Sequence, residues 1–251
     1  YYLDGGLVYG STVKLTDNGE VRFLGNKVSA IYSVYGGGVR ATNLTIQGNG
    51  VVDMSGNTTK STSTYSGHSV YGGVQYSGYG ALIDSNDELT ISNNRAESVG
   101  GNVYGGAIYQ FVSGTSSSYT TRITGNGAVE ISGNAAISPK GEALGGAIYG
   151  SSSVQIANNE SVLLRGNYEQ QGSDYRLRSI YAGRNLELTA NTGQNISVYD
   201  SVYTVGNLTL NANRAGGEIL LSGEHTEADL LAAKNGVTGT TQEITNSRTN
   251  T

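Results

Sequence analysis

Ile123-Thr124-Gly125-Asn126-Gly127-Ala128-Val129-Glu130-Ile131-Ser132-Gly133-Asn134 places an asparagine three positions after a large apolar residue, and does so twice, eight residues apart. The pairing recurs as Asn18/Asn26, Asn49/Asn57 and Asn159/Asn167, behind Leu15/Phe23, Ile46/Met54 and Ile156/Leu164. Within each unit apolar and polar residues alternate, as in Val129-Glu130-Ile131, the period of a strand with one buried face. An asparagine closing such a strand tolerates a left-handed bend. Its amide, stacked on equivalents at the ~4.8 Å strand spacing, forms a ladder. Asn94, Asn191 and Asn213 extend the set with one member each.

A second element runs in register with the first. It reads Gly5-Gly6-Leu7-Val8-Tyr9, Gly36-Gly37-Gly38-Val39-Arg40, Gly72-Gly73-Val74-Gln75-Tyr76, Gly105-Gly106-Ala107-Ile108-Tyr109 and Gly145-Gly146-Ala147-Ile148-Tyr149. Ile180-Tyr181 and Val202-Tyr203 continue it without the glycines. A unit of roughly 30–40 residues made of short strands closes no core by itself and must stack on its neighbours. The expected fold is therefore all-β, a parallel β-helix of about seven rungs with three short strands per rung, over residues 1–223. Residues 224–251 are expected to cap it or to begin a further rung, with a short helix at 226–234.

Rung length predicts where loops leave the rod. Twelve residues separate Gly6 from Asn18 and Gly37 from Asn49, and thirteen separate Gly146 from Asn159, but twenty-one separate Gly73 from Asn94 and twenty separate Gly106 from Asn126. Two neighbouring rungs are thus expected to carry extra loops side by side, over residues 77–88 and 110–121. A third, rich in Ser and Thr, is expected over 58–70.

Composition narrows the function classes. With 38 glycines and one proline in 251 residues the chain favours tight bends over helices. Only 14% of residues are charged, the net charge is −5, and the fifteen Lys and Arg are scattered, which argues against a nucleic-acid partner. The absence of cysteine excludes disulfides, thiolate metal sites and cysteine nucleophiles. The chain begins at Tyr1 without an initiator Met or an apolar leader and reads as part of a longer protein, so any signal or anchor is expected outside it.

The elements Gly105-Gly106-Ala107-Ile108, Gly145-Gly146-Ala147-Ile148 and Phe23-Leu24-Gly25-Asn26 resemble the G-G-A-I and F-x-x-N repeats of chlamydial-type polymorphic outer-membrane proteins. Relaxed F-x-x-N copies end at Asn49, Asn57, Asn94, Asn134 and Asn167, and the resemblance spans roughly residues 5–213. It implies a right-handed parallel β-helix, the passenger of a type V autotransporter, on the bacterial surface or outer membrane or secreted. It further implies adhesion to a host-cell surface protein or glycan, with the membrane reached only through a β-barrel outside this segment. One copy alone has the phenylalanine, and the later rungs lack the glycine pair.

Tyrosine supplies 18 of the 20 aromatic residues. One column repeats it, Tyr9, Tyr76, Tyr109, Tyr149, Tyr181 and Tyr203, with Arg40 in the remaining rung. If Ile108 points inward then Tyr109 points outward. The column is expected to be an exposed ribbon for sugar faces or a partner's side chains, or a structural stack of rings. Tyr79, Phe111 and Tyr119 fall in the expected loops, where solenoids place recognition.

Catalysis is the rival reading, because parallel β-helices also resemble pectin-active lyases and hydrolases, which need clustered outward carboxylates. The outward columns read Arg22, Asp53, Glu130, Leu163, Ser197 and Thr45, Thr90, Gln155, Glu187, Thr209, with no two carboxylates in neighbouring rungs. Asp84-Ser85-Asn86-Asp87-Glu88 has oxygens at alternate positions but lacks the glycine and distant Glu of an EF-hand, and is read as a solvated turn. Glu224, His225, Glu227 and Asp229 lack metal-site spacing and are read as a helix start. No cofactor and no metal are expected. The expected function is a non-catalytic adhesin, with a structural stalk or a polysaccharide-active enzyme as alternatives.

Overall fold

The structure, a computed structural model, describes residues 3–4, 6–112, 119–212 and 216–222. The expected helix at 226–234, the cluster at 224–229, and Gly5 and Asn213 lie outside the described residues. Among these residues the chain is all strand and turn, wound as a parallel β-helix. One rung is Val34–Tyr35, Val39–Gln47, Val51–Ser55 and Thr58–Ser61, whose counterparts stack into four sheets, here called first to fourth in that order. The third sheet has seven strands, from Glu20–Leu24 to Glu218–Leu221, one for each expected rung.

The expected three strands per rung cover only two of these four faces. The three segments read from sequence are the two halves of the second sheet and the whole of the third. Early rungs run those halves as one strand, Val39–Gln47; later ones break it, as in Ile148–Gly150 and Ser153–Ala157. The fourth sheet left no alternating signal because its inward positions are small and often polar: Thr59, Ser61, Ser98 and Ser138 are fully buried alongside Ala96 and Ala136. First-sheet strands are two residues long and too short to show a period.

The inward columns carry the stability. Phe23, Met54, Ile91, Ile131, Leu164 and Val198 stack in parallel register down the third sheet, and Leu15, Ile46, Ile83, Ile123, Ile156 and Leu188 down the second. Together they form one core cluster running through the rod. Burying apolar surface at roughly 25 cal/mol per Å² makes each rung's gain depend on the next. Gln75 sits in an aliphatic column between Val39 and Ile108, fully buried, with both amide atoms lacking a hydrogen-bond partner.

Two amide ladders run along the corners of the third sheet. The first links Asn18, Asn49, Asn86, Asn126 and Asn159, each Nδ2 donating to the next Oδ1 at 2.8–2.9 Å. Successive members lie 31, 37, 40 and 33 residues apart. The second links Asn26, Asn57, Asn94, Asn134 and Asn167 and ends on Asp200. Asp200 accepts from Gly166 N, Asn167 N, Asn167 Nδ2 and Ser179 Oγ at 2.7–3.1 Å. Burial nonetheless pushes its carboxyl above the usual carboxylate range.

The backbone reason for these asparagines differs from the expected one. The left-handed residue is the one before each ladder amide: Asp17, Gly48, Ser85, Gly125 and Asn158 on the first ladder, Gly25, Gly56, Asn93, Gly133 and Gly166 on the second. The asparagine is there for its side chain. Asn191 is not a rung of either ladder; its Nδ2 donates to Asn158 Oδ1, beside the ladder, and the first ladder stops at Asn159. The next corner is two residues longer, because Ala157 pairs with Thr189 and Ser161 with Asn195.

The phase of the third rung also needs correcting. Its first amide is Asn86, thirteen residues after Gly73, and Asn94 is its second. The segment 77–88 is therefore no inserted loop. Gln75–Asp84 is a continuous strand with a single irregularity between Ser77 and Gly80. The extra length in the next rung is real and falls between Ile108–Gln110 and Thr120–Thr124. In the region 58–70, residues Thr58–Ser61 are a strand and the loop comes after them.

Each glycine of the pair has its own reason. Gly36, Gly72, Gly105 and Gly145 have φ between +60° and +76°. The following glycine is covered by the next rung: a Cβ at Gly73 would lie on the Gly106 carbonyl oxygen, and one at Gly106 on that of Gly146. The series ends where the winding changes. Tyr168–Gln171 folds back on Asp174–Ala182 as the one antiparallel pair among the described strands, and the chain enters the second sheet without a first-sheet strand. Buried Glu169 holds this junction, accepting from Gly145 N at 2.6 Å and pairing with Arg178 at 3.0 Å.

Candidate binding surface

Two tyrosine columns flank the glycine corner. Tyr76, Tyr109, Tyr149, Tyr181 and Tyr203 project from the second sheet, with successive ring centroids 5.3, 5.4, 5.2 and 4.9 Å apart and planes within 29° of parallel. Tyr35, Tyr71 and Tyr104 project from the first sheet at 4.9 and 5.7 Å. Residues Val34-Tyr35, Val70-Tyr71 and Val103-Tyr104 each stand directly before a glycine pair, so the signal for this second column was present in the sequence. The columns interlock: Tyr71 lies 5.0 Å from Tyr109, and Tyr104 lies 5.0 Å from Tyr149. Arg40 replaces a ring, with its guanidinium 4.5 Å from Tyr35, 5.3 Å from Tyr76 and 5.5 Å from Tyr9.

Of the two readings of the column, this interlock favours the structural stack over the exposed ribbon. Tyr109 does point away from the core, yet it is only 5% exposed, and Tyr76, Tyr149 and Tyr181 are half-buried. Ring faces are occupied by neighbouring rings, which is what centroid separations near 5 Å mean for near-parallel pairs. Only the ends, Tyr9 at 67% and Tyr203 at 44% exposure, show substantial ring surface.

Burial has an electrostatic consequence. It pushes the Tyr109 phenol far above its ordinary value of 10 and pushes Tyr149 up to about 12, with neighbouring tyrosines adding to both shifts. Because the folded values are raised, the contribution to stability is complete below pH 10 and is lost as pH rises through about 12. An absorbance titration of the phenols should show a late phase, at about 12, that coincides with loss of the strand circular dichroism. One reversible step for all eighteen tyrosines would contradict a packed column.

Tyr79, Phe111 and Tyr119 form a separate group on the side of the rod. The rings of Tyr79 and Tyr119 stack at 4.9 Å and 24°. Gln110 Nε2 donates to the Tyr79 carbonyl at 2.8 Å and Phe111 N to that of Ser77 at 2.9 Å, which ties both segments together. Tyr79 is 39% and Phe111 40% exposed. The strand irregularity at Ser77/Gly80 lifts Tyr79 out, and the longer connection after Gln110 carries the other two. Sequence reasoning found these three residues through two supposed loops, of which one exists.

The clusters that look chemical have structural partners. Asp84 accepts from Gln47 Nε2 and Thr124 Oγ1 in the adjoining rungs, both at 2.8 Å, and Asn86 is buried in the ladder rather than solvated. With the third rung in phase, the outward columns read Lys14, Thr45, Leu82, Arg122, Gln155, Glu187, Thr209 and Arg22, Asp53, Thr90, Glu130, Leu163, Ser197. Thr90 belongs to the third sheet, not the second, and still no two carboxylates are adjacent in a column. Among the described residues no three His, Asp or Glu side chains gather as a metal site would need.

Compared with known proteins, the chain matches no family model, no curated protein and no solved structure.

Proposed function

We propose that this chain is the β-helical passenger of an autotransporter-like adhesin, a non-catalytic rod at a bacterial surface that binds a host-surface protein or a glycan. The observation that carries this reading is the stacked pair Tyr79–Tyr119 beside exposed Phe111, ring surface held together on the flank of the rod. Tyrosine offers a sugar's C–H face or a partner's side chain a large contact at small entropic cost. The G-G-A-I and F-x-x-N resemblance supports the exported, surface-anchored context, with the anchor in a β-barrel outside this segment. The continuous core and ladders favour a second role for the same rod, as a stalk that displays another domain.

The purified chain, immobilised on beads, should retain host cells or a glycan array. Changing Tyr79 and Tyr119 together to Ser should weaken retention about tenfold or more while leaving the circular dichroism unchanged. Undiminished binding by that variant would remove the site, and absence of binding by the parent chain would leave the stalk. Release of new reducing or unsaturated sugar ends from polysaccharide would turn the reading to an enzyme.

A further inference from the structure

Oxidisable side chains are unevenly placed in this protein. Cysteine and tryptophan are absent, and the one methionine, Met54, is fully buried in the core, whereas tyrosine occurs eighteen times. A one-electron oxidant reaching the surface therefore meets phenols. The fate of the resulting phenoxyl radical depends on whether a second phenol lies within reach and whether the two rings have room to turn edge to edge.

Tyr181 and Tyr203 meet both conditions. They stand opposite one another in parallel register, with ring centroids 4.9 Å apart and planes 29° from parallel. Tyr203 is 44% exposed and Tyr181 is half-buried. No third ring crowds them, because the inner column ends at Tyr104 and the last first-sheet strand, Ala143–Leu144, carries no tyrosine; the group beside them is the Arg178 guanidinium, 5.2 Å from the Tyr203 ring centroid. Tyr76, Tyr109 and Tyr149 are walled by Tyr71 and Tyr104, which blocks that turn. Tyr35 and Tyr71 are equally close but both lie edge-on against the third ring of Tyr76.

We propose that Tyr181 and Tyr203 are a site of oxidative coupling, joined as a dityrosine when the protein meets hydrogen peroxide and a haem peroxidase. Each phenol gives one electron and one proton to the oxidant. The two radicals then form a carbon–carbon bond between ring positions ortho to the oxygens, and the hydrogens on those carbons return to the oxygens. In sum, two tyrosines and one hydrogen peroxide give one dityrosine and two waters, and the protein loses two hydrogens. The bond would staple adjacent rungs beyond the hairpin, where no glycine pair and no first-sheet strand hold them. The coupling does not depend on whether the chain binds a host surface.

Peptide mapping tests this directly. Cleavage after Lys and Arg leaves Tyr181 as the one tyrosine of residues 179–184 and places Tyr203 with Tyr199 in residues 185–214. After treatment with peroxide and peroxidase the protein should remain monomeric and gain dityrosine fluorescence. The two peptides should be linked through Tyr203, two hydrogens lighter than their sum. The melting temperature should rise by about 5 °C or more, since the link closes a loop in the unfolded chain. Tyr181→Phe keeps the ring and the stack, and should lose this link under the same treatment. A link through Tyr199, coupling only between molecules, or oxidation of other tyrosines with Tyr181 and Tyr203 untouched would each overturn the proposal.

Discussion

Ile131→Asp should leave the protein unfolded at neutral pH. Ile131 is fully buried, with Ile91 before it and Leu164 after it in the same inward column, so a carboxylate there has no water and no cation to face. Burying an unpaired charge in such a site and losing the isoleucine's packing together cost about 5 kcal/mol or more. That is comparable to the whole stability of an ordinary domain, about 5–15 kcal/mol. The control is Thr45→Asp, in the same kind of strand but on its outward face and beside Lys14, where the expected change is within about 1 kcal/mol. Gln155 is a poorer control, because its amide donates to Glu187 at 3.0 Å and an acid there would meet a like charge. Urea unfolding monitored by circular dichroism measures all of this. A folded Ile131→Asp chain with an unchanged midpoint would mean that the column does not point inward.

The alternation that supports this prediction was legible because the second and third sheets pack against one another and face water on their other sides. Residues such as Val129, Glu130 and Ile131 had to alternate. Polar burial leaves no such sign. Thr59, Ser98 and Ser138 face inward in the fourth sheet beside small residues such as Ala96 and Ala136, and nothing in their order separates them from a loop. Gln75 shows the opposite failure, a polar side chain in an aliphatic column that the alternation rule would have turned outward.

The misplaced phase of the third rung had a single physical cause. Asn86 follows Ile83 by three residues and precedes Asn94 by eight, the spacing of the other rungs, but it stands among Asp84, Ser85, Asp87 and Glu88, which imitate a calcium-binding turn. Taking Asn94 as the first amide created a loop that does not exist and moved Thr90 to the wrong sheet. The tyrosine column was legible as a column, and a structural stack was one of its two readings; the second column that packs it was not. Its burial comes from Tyr35, Tyr71 and Tyr104, which reach it across a left-handed glycine from strands of two residues. The Tyr79–Tyr119 stack was found through its aromatic composition, while the contact itself, between residues forty positions apart, needs the winding of the rod.

Asn94→Ala should cost about 3–5 kcal/mol, far more than Asn18→Ala at the start of the other ladder. Asn94 is fully buried and makes four hydrogen bonds: its Nδ2 donates to Met54 O at 2.6 Å and Asn134 Oδ1 at 2.9 Å, and its Oδ1 accepts from Asn57 N at 3.0 Å and Asn57 Nδ2 at 2.8 Å. Truncation leaves buried donors on one side and buried acceptors on the other, each costing about 1–3 kcal/mol when left unmade. Asn18 is exposed, so water takes over its side of the bonds, and its loss should stay near about 1 kcal/mol. A cycle with Asn134→Ala adds a sharper test. The two residues share the bond from Asn94 Nδ2 to Asn134 Oδ1, so the double variant should lose less than the sum of the single losses, by about 1 kcal/mol or more. Strict additivity in urea midpoints would mean that the amides act as independent turn residues. The ladder would then be a by-product of the winding rather than one of the forces that hold it.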